Sequence, residues 1–283
     1  MGRWRVLLAL AVLLVAGCSD PGTPAASGST LPSPTAPSSF PVPPSPSPSP
    51  SPSPSSLPTP APEPSPAAPA PVVVLDPGHN GGNAAHPAVI NAAVPDGAGG
   101  TKPCNTTGTA TNAGYPEHAF TWDVALRTRD LLTAAGVQVV LSRRDDTGVG
   151  PCVDVRGELG GKVGAAAFVG IHGDGAAAGG RGFHVITSSL APAGHAVAAG
   201  SHTLAVDLRD ALTAVEPVSN YLGSNGLDGR SDLAGLNLSR VPAVYVECGN
   251  MRNAADAALM SAPDGREAIA ARLAAGVLAY LGR

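Results

Sequence analysis

Lysine is almost missing: Lys102 and Lys162 are the only two in 283 residues, and the arginines are scattered. No basic stripe results, so the electrostatic footprint of a nucleic-acid binder is absent and no nucleic-acid partner is expected. A membrane-spanning run is missing as well, because the apolar stretch Val6 to Val15 is too short to cross a bilayer. From Met1 to about Pro71 there is no periodic pattern that could bury a face. Cysteine is sparse, with four in the chain, and a net charge of −4 points to no particular partner.

What is there divides the chain into unlike parts. Arg3 and Arg5 precede the short apolar stretch, which has the layout of a secretory signal. It ends Leu14-Val15-Ala16-Gly17-Cys18-Ser19-Asp20, which resembles the bacterial lipobox, in which the cysteine is acylated and becomes the new N-terminus. An ordinary cleaved signal with a chance cysteine is the bland alternative. Residues 18–71 are dominated by Pro, Ser and Ala, with Ser-Pro alternation from Ser45 to Ser55. Such sequence favours extended polyproline II, and at about 3.1 Å per residue it reaches on the order of 150 Å when fully stretched. We read 1–17 as a signal peptide and 18–71 as a disordered tether that lifts a folded domain off the membrane through lipidated Cys18. A tail with no spacing role stays open as the alternative. The expected location is the outer face of the cytoplasmic membrane.

Residues 72–283, about 210 in all, suit a single domain with a sizeable core. Val72 to Leu75 reads as a buried strand, and Asp76-Pro77-Gly78 turns the chain and leaves His79 just beyond the strand end. The segment from Asn80 to Gly114 carries little pattern, and a loop this long is expected to border a functional site. A helix is predicted from Pro116, with Phe120, Val124, Leu131 and Ala135 at helical spacing and Glu117 on the same inward face. Strands follow at Val137 to Leu141, at Ala166 to Ile171 before His172-Gly173-Asp174, at Gly182 to Thr187, and at Ala243 to Val246 before Glu247. Helices are predicted at Asp154 to Val163, along Leu204, Leu208, Ala211, Leu212 and Val215, and along Ile269, Leu273, Val277 and Tyr280. The segment Pro217 to Ser231 reads as polar loop. Alternating β and α elements predict an α/β fold with a single, largely parallel (mixed) sheet and helices on both faces.

Three strand ends thus carry His79, His172 and Glu247, and a helix start adds Glu117. Two imidazoles and a carboxylate are a common ligand set for catalytic zinc, and a second carboxylate supplies the base that activates water. Each residue alone has an ordinary explanation: a helix-dipole acid for Glu117, a structural histidine for His172, a paired carboxylate for Glu247. Their occurrence together at one sheet edge does not. The remaining histidines lie in loops, on a helix surface or mid-strand and receive no role. An oxidising compartment calls for an account of the cysteines. Of three possible pairings Cys104 with Cys152 is favoured, since both are loop residues, and Cys248 is expected as a buried free thiol, although sequence does not fix connectivity.

These motifs resemble the zinc-dependent N-acetylmuramoyl-L-alanine amidases of the Amidase_3 type, most closely the compact mycobacterial and actinobacterial forms without a wall-binding domain. Leu75-Asp76-Pro77-Gly78-His79, Glu117 before a helix, Val169-Gly170-Ile171-His172, and Pro242 to Asn250 match in order. The resemblance implies that His79, Glu117 and His172 hold Zn²⁺ and that Glu247 is general base and then general acid. It also implies peptidoglycan or muropeptides as substrate. We further expect Asp76 to orient His79 from behind, Arg230 and Asn225 to contact substrate, and the chain to be a monomer. Thr121 stands where the family usually has Asn, and Gly-Ile-His-Gly-Asp replaces Ser-Ile-His-Ala-Asn, departures that touch no expected ligand. The rivals are a peptidoglycan-binding protein without turnover, another zinc peptidase acting on stem peptides, and a cysteine hydrolase built on Cys248 and His172.

Overall fold

The computed structural model describes residues 43–44 and 69–283. The expected signal peptide, Cys18 and most of the tether lie outside the described residues.

β1 (Val72–Pro77) is followed by a 3₁₀ turn, Asn83–Ala85, then α1 (Pro87–Ile90) and a small hairpin of β2 (Ala93–Pro95) and β3 (Thr101–Pro103). Next come α2 (Glu117–Ala134), β4 (Gln138–Leu141), α3 (Val153–Lys162), β5 (Ala167–Asp174), β6 (His184–Ser188) and α4 (His195–Leu212). β7 (Leu227–Arg230), α5 (Ala234–Asn237), β8 (Ala243–Asn250), α6 (Ala254–Ser261) and α7 (Pro263–Tyr280) complete the chain. The main sheet has six strands in the order β4-β1-β5-β8-β6-β7. All neighbours are parallel except β6 against β8, so the sheet is mixed and mostly parallel.

The runs of consecutive apolar residues in β1, β5 and β8 follow from burial on both faces. Val73, Leu75, Val169, Ile171, Val244 and Val246 point to one face, where they pack in one core with residues of α2, α4 and α7. Val74, Phe168 and Tyr245 point to the other, beneath α3 and α5. Each such Val, Leu, Ile or Phe contributes about 1.5–3 kcal/mol of burial.

Several expected details are corrected. On α2 Leu132 is buried, whereas Leu131 is 37 % exposed and Ala135 lies past the helix end. The buried arc includes Thr121 and Thr128, whose hydroxyls bond to the carbonyls of Gly78 and Val124, and this turns the stripe away from the one traced by apolar residues alone. The Asn80–Gly114 segment contains α1 and the β2–β3 hairpin, and the Pro217–Ser231 segment contains β7. β7 is an edge strand reading Leu-Asp-Gly-Arg, with no apolar alternation to mark it. α6 is a further element that the sequence pattern does not announce. β1, β5 and β8 run further than expected because the ladder continues past the apolar residues, with His172 opposite Glu247 and the Gly78 amide bonded to Ile171 O at 3.0 Å.

Candidate active site

The carboxyl ends of β1, β5 and β8 and the first turn of α2 meet at a cleft of about 350 Å³. Among its lining residues are His79, Glu117, His172 and Glu247, together with Lys102 and Thr106 from the segment after β1. That segment therefore borders the site as its length suggested.

Glu117 is the hub. Its Oε1 lies 3.0 Å from His79 Nε2, 3.1 Å from His172 Nδ1 and 3.2 Å from the Gly173 amide, while Oε2 accepts the Thr109 amide at 2.9 Å. Burial would lift this carboxyl, but the two imidazoles beside it hold it far below the usual carboxylate range. Burial pushes the His79 imidazole down, and the Glu117 carboxylate more than reverses that, so its net shift is upward.

His79 is held in an uncommon conformation, φ +62°, by bonds to its own backbone and to its neighbours'. Arg156 donates to His79 O at 2.7 Å and to Pro77 O at 2.8 Å. Arg143 donates to Pro77 O at 3.0 Å, and Thr121 Oγ1 donates to Gly78 O at 2.8 Å. The ring's Nδ1 sits 3.2 Å from Thr106 O and 3.1 Å from Thr106 Oγ1. A carbonyl only accepts, so Nδ1 carries a proton, and Nε2 is the ring atom that faces Glu117. His172 stacks on Tyr245 with ring centroids 4.9 Å apart. Its ring passes so close to Gly78 that a Cβ there would lie 2.4 Å from Cε1.

One donor atom each from His79, Glu117 and His172 lie within 4.8 Å of one another. Two imidazole nitrogens and one carboxylate oxygen of this spacing fit a borderline divalent cation of the zinc type. Glu247 faces the same cleft, and its Oε2 is buried without a hydrogen-bond partner. Burial pushes this carboxyl well above its usual range, and the charges of Glu117 and Asp174 push it further the same way. Such a group has a high affinity for a proton and nothing competing for its free oxygen.

Asp76 does not touch His79. Its Oδ1 instead pairs with Arg156 Nη1 at 2.7 Å and accepts Ser142 Oγ, because β1 carries its side chain toward α3. The partner that faces the His79 ring is Thr106. Neither Arg230 nor Asn225 is among the residues lining the cleft. Arg230 is bound by Asp232 through Nε and Nη2, at 2.8 and 2.6 Å, and Asn225 occupies a turn at φ +52° with its carbonyl bonded to Arg209. Cys104 and Cys152 form a disulfide, and Cys248 is a buried free thiol. Burial pushes that thiol well above its usual range, which leaves no thiolate for a cysteine hydrolase. Thr106, Arg143 and Arg156 escape sequence reasoning. A loop threonine carries no pattern, and buried arginines look like surface ones until their carbonyl partners are known.

Comparison with known proteins agrees with this geometry. Residues 73–279 match the family model described as N-acetylmuramoyl-L-alanine amidase, Amidase_3. The chain is 50% identical over 212 residues to an N-acetylmuramoyl-L-alanine amidase of Mycobacterium tuberculosis, covering 74% of this chain and 86% of the relative. It is similar to the crystal structure of the amidase Ami1 from Mycobacterium smegmatis, with TM-score 0.72 and 48% identity over 76% of this chain and 98% of the other. The apo form of Ami1 from Mycobacterium abscessus gives TM-score 0.71 and 49% identity, over 76% and 100% of the respective chains.

Proposed function

The chain belongs to the Amidase_3 family of N-acetylmuramoyl-L-alanine amidases, and from that premise we propose zinc-dependent hydrolysis of the amide between the lactyl group of N-acetylmuramic acid and the first L-alanine of the stem peptide. The substrate is peptidoglycan or its fragments. One observation carries the reading: His79, Glu117 and His172 each place a potential ligand atom within 4.8 Å of the others, in the cleft that Glu247 also lines.

His79, Glu117 and His172 would hold the zinc ion, which when bound supplies Lewis-acid polarisation of the acyl carbonyl and of the attacking water. Glu247 takes a proton from that water as its oxygen bonds to the acyl carbon. As the carbon–nitrogen bond breaks, Glu247 returns the proton to the departing amine of L-alanine, so the base becomes the acid. Its high proton affinity suits the second half of this cycle. Thr106 and Arg156 keep His79 oriented throughout, one at the ring and the other at the backbone.

The sequence before the domain supports a lipoprotein, with 1–17 removed, Cys18 acylated and 18–71 acting as tether at the outer face of the cytoplasmic membrane. Two or more acyl chains hold a protein at a bilayer where one is marginal. Mass measurement of detergent-extracted protein is expected to find Cys18 modified, and an unmodified Cys18 removes the anchor. The enzymatic test is digestion of purified muropeptides followed by mass spectrometry, with metal analysis of the same sample. Free stem peptides and about one zinc per chain are expected. Release of single amino acids points instead to a carboxypeptidase, and active protein without metal ends the zinc reading.

A further inference from the structure

β6 runs antiparallel to β8, and His184 stands directly opposite Glu247 in their ladder. Val185 and Val246, the next pair, belong to the core under α2, α4 and α7, whereas Ile186 and Tyr245 belong to the core on the other face. Alternation along each strand therefore sends His184 and Glu247 together to that second face. Side chains so paired have Cβ atoms about 4.5–5.5 Å apart, near enough for an imidazole to reach a carboxyl. His172 holds the matching register position on the other side of Glu247, in β5. Glu247 is thus flanked in one row by two histidines, one in the cluster with His79 and Glu117 and the other outside it.

An imidazole between Phe183 and Val185, in a stretch that packs as core, is out of place unless it bonds to something. His184 is 1 % exposed, and its Nδ1 is buried without a hydrogen-bond partner. Native proteins rarely leave a buried polar atom so. Burial pushes the imidazole down against the charges of Asp174 and Asp228, and Arg230 adds to the fall, so the ring is neutral and carries one N–H. The groups around it are engaged elsewhere. Asp174 Oδ2 accepts Tyr221 Oη at 2.9 Å, and its Oδ1 accepts the Gly175 amide at 2.6 Å. The Tyr221 ring stands edge-on to the imidazole, with centroids 6.0 Å apart. Arg230 is bound by Asp232, and Asp228 lies opposite Ile186 rather than His184. Directly across the ladder, Glu247 Oε2 is buried and unpartnered too.

We infer that His184 is the positioning residue for Glu247, its Nδ1 donating to Oε2 and so fixing the other carboxyl oxygen toward the cleft. Rotation about side-chain bonds closes the pair, since the backbone already sets the two residues opposite each other. The inference rests on the amidase reading above and deepens it. A base begins the reaction as a carboxylate, and an N–H bonded to one oxygen favours that charged form while leaving the other oxygen to the water. The same bond keeps the carboxyl from swinging out of line with the acyl carbon, and alignment of this kind is worth a large part of a rate.

The test uses the zinc-loaded full chain. Nitrogen-15 NMR of the wild type is expected to show His184 as the Nδ1–H tautomer, with a Nδ1 resonance that shifts in Glu247→Ala and stays in place in Asp228→Ala. On muropeptides His184→Phe, which keeps the ring and lacks the donor, should lower kcat about tenfold, the effect of one hydrogen bond to a charged group. KM and zinc content should not change. His184→Asn, whose amide nitrogen can stand in for Nδ1, should recover most of the loss. A wild-type His184 with a bare Nδ1, or one that responds to Asp228→Ala and not to Glu247→Ala, overturns the assignment. So does full kcat in His184→Phe, or an equal loss in His184→Asn. If the wild type releases no stem peptides the amidase reading falls. In that same sample a Nδ1–H that responds to Glu247→Ala still upholds the contact, and a bare Nδ1 overturns it.

Discussion

Arg156 Nη1 meets Asp76 Oδ1 at 2.7 Å, with both side chains sealed from water, and the same guanidinium binds the carbonyls of Pro77 and His79. Burial alone would lift the Asp76 carboxyl, yet Arg156 and Ser142 hold it below its usual range. The ion pair is therefore tied to the geometry of His79 as much as to stability. Arg156→Gln leaves a buried carboxylate without its partner and is expected to cost about 3–5 kcal/mol in urea unfolding. Zinc affinity, measured by chelator competition on the folded fraction, should fall about 10–100-fold, as for other residues that position a ligand. Unchanged zinc affinity would show that the His79 turn holds itself.

Gly78 is a second point of control. A Cβ at this position would meet the His172 ring at 2.4 Å from Cε1 and 2.5 Å from Nδ1. Gly78→Ala should displace that ring, and metal analysis of the purified variant is expected to find well under one zinc per chain while circular dichroism stays native.

Glu247 stands apart from the three grouped donors. Glu247→Gln should keep its zinc and lose turnover by about 10²–10⁴-fold, the usual contribution of a positioned acid–base group. Full activity on muropeptides would place the base elsewhere.

Glu216 offers a pH signature remote from these groups. Both its oxygens are buried without partners, and burial, reinforced by the Asp256 charge, pushes it up to about 8. The native state keeps this proton up to about pH 8 while the unfolded chain releases it near 4.5. Between those values the native state binds more protons, so stability falls as pH rises. Each tenfold difference in proton affinity between the two states is worth about 1.4 kcal/mol, so Glu216→Gln is expected to be more stable than wild type at about pH 8 by about 2–4 kcal/mol, and the difference should shrink toward about pH 5. Parallel denaturation curves for the two proteins across that range would contradict it.

The parts of this molecule that are legible in its sequence share a physical cause. His79, His172 and Glu247 each follow an apolar run that must be buried, and a parallel sheet delivers such ends to one edge. Glu117 is legible because a proline marks the helix start in front of it. β7 is not, since an edge strand needs no apolar alternation, and neither is the hairpin, whose residues are mostly exposed. Asp76 is misassigned from sequence because nearness to His79 along the chain says nothing about which way a strand residue points. Arg143 and Arg156 owe their burial to backbone carbonyls, which sequence does not display.

The bond between Cys104 and Cys152 gains meaning from where its two ends lead. Two residues on from Cys104 is Thr106, at the His79 ring, and four residues on from Cys152 is Arg156, at the His79 carbonyl. The crosslink thus splints both supports of one histidine, so a chain kept reduced would carry each of them on a separate, looser arm. Where this bond is formed it does more than join two loops: it finishes tightening the grip on His79 from both sides.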